Sequence, residues 1–218
     1  MTVSKEFRAA ERTHRSLLAR AEKRALIWLA ERMPAWINSD HLTALGFASL
    51  IGVGASYWHA RHHRMGLLLA ILFFVLNWFG DSLDGTLARF RDRQRPRYGF
   101  YLDHVLDAFG SVAIFAGLAL SGYMSECVAA GLLVAYFLLS IEVYLATYTV
   151  GEFQLSFAAF SPTELRLLLI AGNIAVFVQP SNLVFDVGGT IGIAGLSMAF
   201  VWSLVKHAAY LYRLERLP

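Results

Sequence analysis

"GDSLDGTLARFRDRQRPRYGFYLDHVLD", Gly80 to Asp107, is the stretch on which the reading of this chain turns. It follows directly on "LLLAILFFVLNWF", which has the character of bilayer interior. Asp81, Asp84, Asp103 and Asp107 stand at the edges of two apolar segments, with Arg89, Arg91, Arg93, Arg95 and Arg97 between them. On a helix, residues three or four apart share a face, so each aspartate pair forms one stripe. Gly85, Ala88 and Arg89 extend the first stripe; Gly99 and Gly110 extend the second. Two neighbouring antiparallel helices, brought close by their small residues, would join the stripes into a four-carboxylate pocket at the membrane edge.

Such a pocket needs cations. One acidic side chain at the bilayer centre costs about 2.5–3.5 kcal/mol on insertion scales. Four together also repel, which protonation or divalent ions relieve. All-oxygen ligation favours Mg²⁺, Mn²⁺ or Ca²⁺ over zinc. Two such ions held by four carboxylates form the usual clamp for in-line attack at phosphorus. The glycines leave room for a bulky phosphate ligand, and Arg89 can bind a phosphate oxygen. Each piece alone has an ordinary reading: an aspartate bonding between helices, a glycine as a packing notch, an arginine in a cytoplasmic loop. The joint pattern is what points to chemistry.

The rest of the chain supplies the membrane. Of 218 residues, 57% are hydrophobic and 16% charged, too little charge to cover a water-soluble domain. Six candidate spans follow, roughly 42–60, 66–88, 99–122, 127–150, 163–180 and 187–212, near the ~20 residues a crossing needs. The expected fold is therefore all-α and integral to the membrane. Six transmembrane helices form a catalytic domain over 35–218, preceded by an amphipathic juxtamembrane segment over 1–34. In that segment, residues 5–33 read as a helix with Leu17, Leu18, Ala21, Ala25, Trp28 and Leu29 near one face and basic residues elsewhere. A basic amphipathic helix of this kind suits an anionic lipid surface; docking on its own domain is the other reading. Pro34 breaks it. The N-terminus has no apolar core of a cleavable signal. The single cysteine, Cys127, excludes an intramolecular disulfide.

Lysine and arginine set the orientation. The N-terminal segment carries eight, the 89–98 loop five and the C-terminal end three, against two between the first two spans. Positive charge stays inside, so both termini and the aspartate cluster face the cytoplasm, at the plasma membrane in a bacterial cell. No nucleic-acid partner is expected; membrane lipid is.

Asp81-x-x-Asp84-Gly85-x-x-Ala88-Arg89, followed by Gly99-x-x-x-Asp103-x-x-x-Asp107, resembles the signature of the CDP-alcohol phosphotransferases, membrane enzymes of phospholipid synthesis. "INSDHLTALG" is similar to the family's segment opening the first helix, with Ser39 and Asp40 where Pro and Asn are common. The resemblance implies a six-helix core with a cytoplasm-facing site, often a homodimer. It implies transfer from a CDP-linked donor, CDP-diacylglycerol or a CDP-amino alcohol, to a lipid or alcohol hydroxyl, with CMP released and two divalent ions, Mg²⁺ or Mn²⁺, engaged. Carried over, Asp81, Asp84 and Asp103 are metal ligands. Asp107 is ligand or neighbour to the metals and the general base. Gly85, Ala88, Arg89 and Gly99 line the CDP site.

The acceptor is less legible. Members taking a phosphorylated alcohol, such as inositol phosphate or glycerol phosphate, tend to carry basic residues on later helices, and here there is Arg166. Tyr148, Gly151, Thr163 and Glu164 are instead similar to the choline and ethanolamine branch, which makes Glu142 and Tyr148 the candidate acceptor residues. The alternative class is a divalent-cation transporter using the aspartates as its ion site. It would need carboxylates along a route, whereas these cluster at one end. His59, His62 and His63 sit at the external loop, without a carboxylate or cysteine nearby to suggest a metal.

Overall fold

The computed structural model describes residues 19–150 and 162–216. Seven helices occupy the described residues: α1 (Ala19–Arg32), α2 (Ser39–Ala60), α3 (Met65–Phe90), α4 (Pro96–Ser121), α5 (Glu126–Thr149), α6 (Pro162–Val178) and α7 (Leu183–Leu214). Local chemistry accounts for several ends. Asn38 caps α2, its side chain accepting from the His41 N–H at 3.0 Å while His41 Nδ1 accepts from the Asn38 N–H at 3.2 Å. Pro96 opens α4, where its missing N–H goes unneeded. Gly122 ends it at φ 79°, a left-handed conformation that glycine adopts without strain.

All six expected spans coincide with helices. Four of them, α3, α4, α5 and α7, are long and apolar enough to cross a membrane. Helix α6 has 17 residues, short of a full span. Helix α2 falls outside the apolar set because it is the hub of the bundle rather than a lipid-facing wall. It packs most extensively on α3 and α4, and it carries buried glycines and serines. Its Ser49 and Ser56 hydroxyls satisfy themselves on the Leu45 and Gly52 carbonyls, each at 2.7 Å. Lipid offers little hydrophobic drive for helix association, so close backbone approach does the work. A Cβ at Gly117 of α4 would lie 2.2 Å from the Gly54 carbonyl oxygen of α2, and one at Gly54 would lie 2.3 Å from the Ala113 carbonyl oxygen.

The larger core joins Val53 and Tyr57 of α2 to Leu67, Ala70 and Phe74 of α3, with Leu118, Leu132, Val176 and Phe185 closing it. The buried Tyr57 hydroxyl accepts from Asn173 Nδ2 at 2.8 Å, so its polar end is met as its ring packs edge-on to Phe74 and Phe185. The smaller core sets Leu26 and Ala30 of α1 against Leu42, Leu83 and Leu87. Helix α1 thus docks on its own bundle beside the aspartate end of α3, while Trp28 stays exposed. The remainder of the expected amphipathic helix, residues 5–18, lies outside the described residues.

Candidate active site

The four aspartates do line one cleft, but not by direct packing of their two helices. Helices α3 and α4 each pack on α2, which supplies the floor through Thr43, Gly46, Phe47 and Leu50. The small residues act accordingly. A Cβ at Gly46 would stand 3.2 Å from the Asp81 backbone nitrogen, and one at Gly110 would strike Leu50. The expected close approach is made by each aspartate helix to α2, leaving a gap between the carboxylate stripes.

Asp84 is held on both carboxylate oxygens. It is buried, its Oδ2 accepts from Thr43 Oγ1 at 2.6 Å, and its Oδ1 accepts from the Gly85 N–H at 2.5 Å. Ser39 Oγ donates to its backbone carbonyl at 3.1 Å. Asp81 takes the guanidinium of Arg166, from the neighbouring helix α6, on Oδ2 at 2.6 Å. Asp103 and Asp107 line the α4 wall, and Asp107 lies within electrostatic reach of Asp81, Arg166, Asp103 and Asp84.

Gly85 faces the Arg89 guanidinium, which donates to Thr86 Oγ1 at 3.2 Å. Ala88 is half-buried on the same helix end. Gly99 has no atom within 4 Å of where a Cβ would stand, so open space surrounds it. At the rim, Arg95 pairs with Asp40. Arg91 donates to the carbonyls of Met33 at 2.8 Å, Pro34 at 3.0 Å and Ile37 at 2.5 Å. That arginine ties the α1–α2 turn, and with it Ser39 and Thr43, to the end of α3.

The residues suit hard divalent ions in type, since every donor is a carboxylate oxygen. Among the described residues no three acidic, histidine or cysteine side chains converge as a ready-made metal group. The Arg166 guanidinium already meets the charge of Asp81, so a metal taking that oxygen has to displace it. The histidines at the α2–α3 junction likewise form no such group, although the His59 and His63 rings lie 5.3 Å apart.

Glu142 and Tyr148 are not in the cleft. Glu142 is buried between α5 and α7, accepting from Ser203 Oγ at 2.6 Å and paired with His207 Nδ1 at 2.7 Å. Both carboxylate oxygens of Glu142 are thereby engaged between the two helices. Tyr148 is 90% exposed. Gly151 lies outside the described residues, and Thr163 falls in the first turn of α6. Sequence reasoning missed Thr43 as the partner of Asp84. It noticed Arg166 but had no means of pairing it with a residue 85 positions away.

Residues 36–209 match the family described as CDP-alcohol phosphatidyltransferase. The chain is 27% identical over 161 residues to an uncharacterized protein of Aquifex aeolicus, covering 71% of this chain and 78% of that one. It is 39% identical over 66 residues to a phosphatidylinositol phosphate synthase of Cutibacterium acnes, and 37% over 84 residues to one of Streptomyces avermitilis. These two matches cover 25% and 38% of this chain, and span 31% and 32% of the relatives' own length. The fold is shared with the crystal structure of Mycobacterium tuberculosis phosphatidylinositol phosphate synthase with CDP-DAG bound. There the TM-score is 0.60 at 17% identity, over 91% of this chain and 99% of that one. With the family matched across most of its length, this chain belongs to the CDP-alcohol phosphatidyltransferases, membrane enzymes of the class that transfers substituted phosphate groups.

Proposed function

We propose that the chain transfers a phosphatidyl group from CDP-diacylglycerol to a hydroxyl of a phosphorylated alcohol, releasing CMP. The carrying observation is Arg166, a guanidinium from α6 seated on Asp81, one of the carboxylates that line the cleft. A guanidinium there serves an anionic acceptor and has no task with diacylglycerol. The relatives named phosphatidylinositol phosphate synthase support the same acceptor class, and the donor follows from the ligand named for the similar structure.

In this reading Asp81, Asp84 and Asp103 hold two divalent ions, with Asp107 beside them. When bound, the ions supply positive charge to the diphosphate and to the departing CMP. Gly85, Ala88, Arg89 and Gly99 receive the CDP moiety, Gly99 by leaving space. Asp107 takes the proton of the acceptor hydroxyl. The acceptor oxygen forms a bond to the phosphorus distal to cytidine as that phosphorus loses its bond to CMP. Helices α2 and α6 are proposed to complete six spans with the four longer ones, with both termini and the cleft on the cytoplasmic side. The segment 1–34 would form the juxtamembrane unit, α1 lying at the lipid surface by its exposed Trp28. A homodimer is compatible with the lipid-facing walls left by the single chain.

The test is CMP release by purified protein with CDP-diacylglycerol and Mg²⁺, offered inositol 1-phosphate or glycerol 3-phosphate, and in parallel CDP-choline with diacylglycerol. Release is expected with a phosphorylated alcohol and lost on chelation. Asp107→Asn should lower it about 10²–10⁴-fold, the contribution of a positioned base, while donor binding persists. Turnover confined to CDP-choline and diacylglycerol, or unaffected by verified metal removal, would sink the proposal.

A further inference from the structure

We infer that Asn77 is a further positioning residue of the cleft: its side-chain amide oxygen anchors one water at the deep end of the carboxylate cluster, and that water completes the coordination of a divalent ion. This rests on the proposed binding of divalent ions by the cleft aspartates.

Asn77 lies on α3 four residues before Asp81, on the same face and one turn deeper in the span. It lines the cleft together with Asp81, Asp107 and, from α2, Gly46 and Leu50. Only 2% of it is exposed. Its Nδ2 donates to the Gly46 carbonyl at 3.1 Å. That contact settles which end of the amide is which, since two carbonyl oxygens have no proton to share. The other end, Oδ1, meets no donor among the described residues.

An amide oxygen buried without a partner is destabilising, and the bond to Gly46 does not account for it. Gly46 stands mid-helix, where its carbonyl already accepts within α2. A leucine would fill the same place in an apolar span. The surroundings of the oxygen do account for it. The other polar side chains lining the cleft are aspartates, which only accept when ionised, and Thr43, whose hydroxyl is given to Asp84 at 2.6 Å. The lining therefore offers acceptors and no spare proton. A water has two, and the free space among these side chains is about 10 Å³, room for a single water. Such a water gives one proton to Asn77 and one to a carboxylate, and keeps its lone pairs for a cation. Mg²⁺ retains several of its waters when bound. A neutral amide anchors that water without adding a fifth negative charge to the four aspartates.

The experiment uses the full chain in detergent, stripped of metal and titrated with Mn²⁺. Calorimetry reads the affinity, and electron spin echo in D₂O counts the waters on the bound ion. Asn77→Leu should weaken Mn²⁺ binding about 10–100-fold, the loss expected of an outer partner, with one water fewer on the ion. Asn77→Asp gives up the bond to Gly46 but keeps an acceptor. It should bind Mn²⁺ more tightly through its added charge and keep the wild-type water count, and it carries the test if Asn77→Leu does not fold. Wild-type affinity in folded Asn77→Leu overturns the inference. Weaker binding with an unchanged water count also does, by making Asn77 a packing residue. So does Asn77→Asp with unaltered affinity or a lost water. A wild type that binds no Mn²⁺ sinks the two-ion reading as well, whereas binding indifferent to Asn77 sinks the inference alone.

Discussion

A carboxylate becomes a usable ligand only when something orients it, and Asp84 shows how this chain does so. Its two oxygens are divided between the Thr43 hydroxyl and the Gly85 N–H. Thr43 itself is placed by a turn that Arg91 holds from three carbonyls. Outer partners of this kind change metal affinity about 10–100-fold when lost. Thr43→Val keeps the shape and removes the donor. Mn²⁺ binding by the metal-free protein, followed by calorimetry, should weaken within that range. Thr43→Ser should restore it. Affinity unaltered by Thr43→Val would show the contact to be incidental. At this scale the aspartates were legible because all four lie within 27 residues, where helical periodicity alone tells which share a face. Thr43 and Arg166 were not, since their partners stand 41 and 85 positions away.

Among the helices, α2 decides where the cleft can be. Its glycines let α3 and α4 seat against it, and the gap that remains between those two is the site. Gly117→Ala should therefore destabilise the protein by about 1–3 kcal/mol, as overpacking does, because the added methyl meets the Gly54 carbonyl. Thermal unfolding in detergent reads this directly. Gly99→Ala meets no neighbouring atom and should melt no lower than wild type, while weakening CDP-diacylglycerol binding. A lower melting temperature for Gly99→Ala, with donor binding intact, would make that glycine a packing residue. The boundaries of the helices followed the apolar runs closely, since exposure to lipid writes itself into composition. Helix α2 fell outside the long apolar spans; neighbours cover much of it, and its buried face includes glycines and serines.

For the whole molecule, the distribution of arginine sets one orientation. A cysteine introduced at Gln94 in a Cys127→Ser background should resist an impermeant thiol reagent in intact cells. The native Cys127, exposed at the opposite end of the bundle, should react. The reverse pattern would invert the protein in the membrane. Membrane residence, helix positions and the family all follow from the sequence by itself. Each depends on composition or on residues close together in the chain, where spacing on a helix or hydropathy over a window is enough. Only the tertiary structure decided that α2 is the floor of the cleft, that Arg166 sits on Asp81, and that Glu142 belongs to a clasp with Ser203 and His207. Helix packing in a bilayer turns on backbone proximity and single hydrogen bonds between distant segments, and neither leaves a periodic trace along the chain.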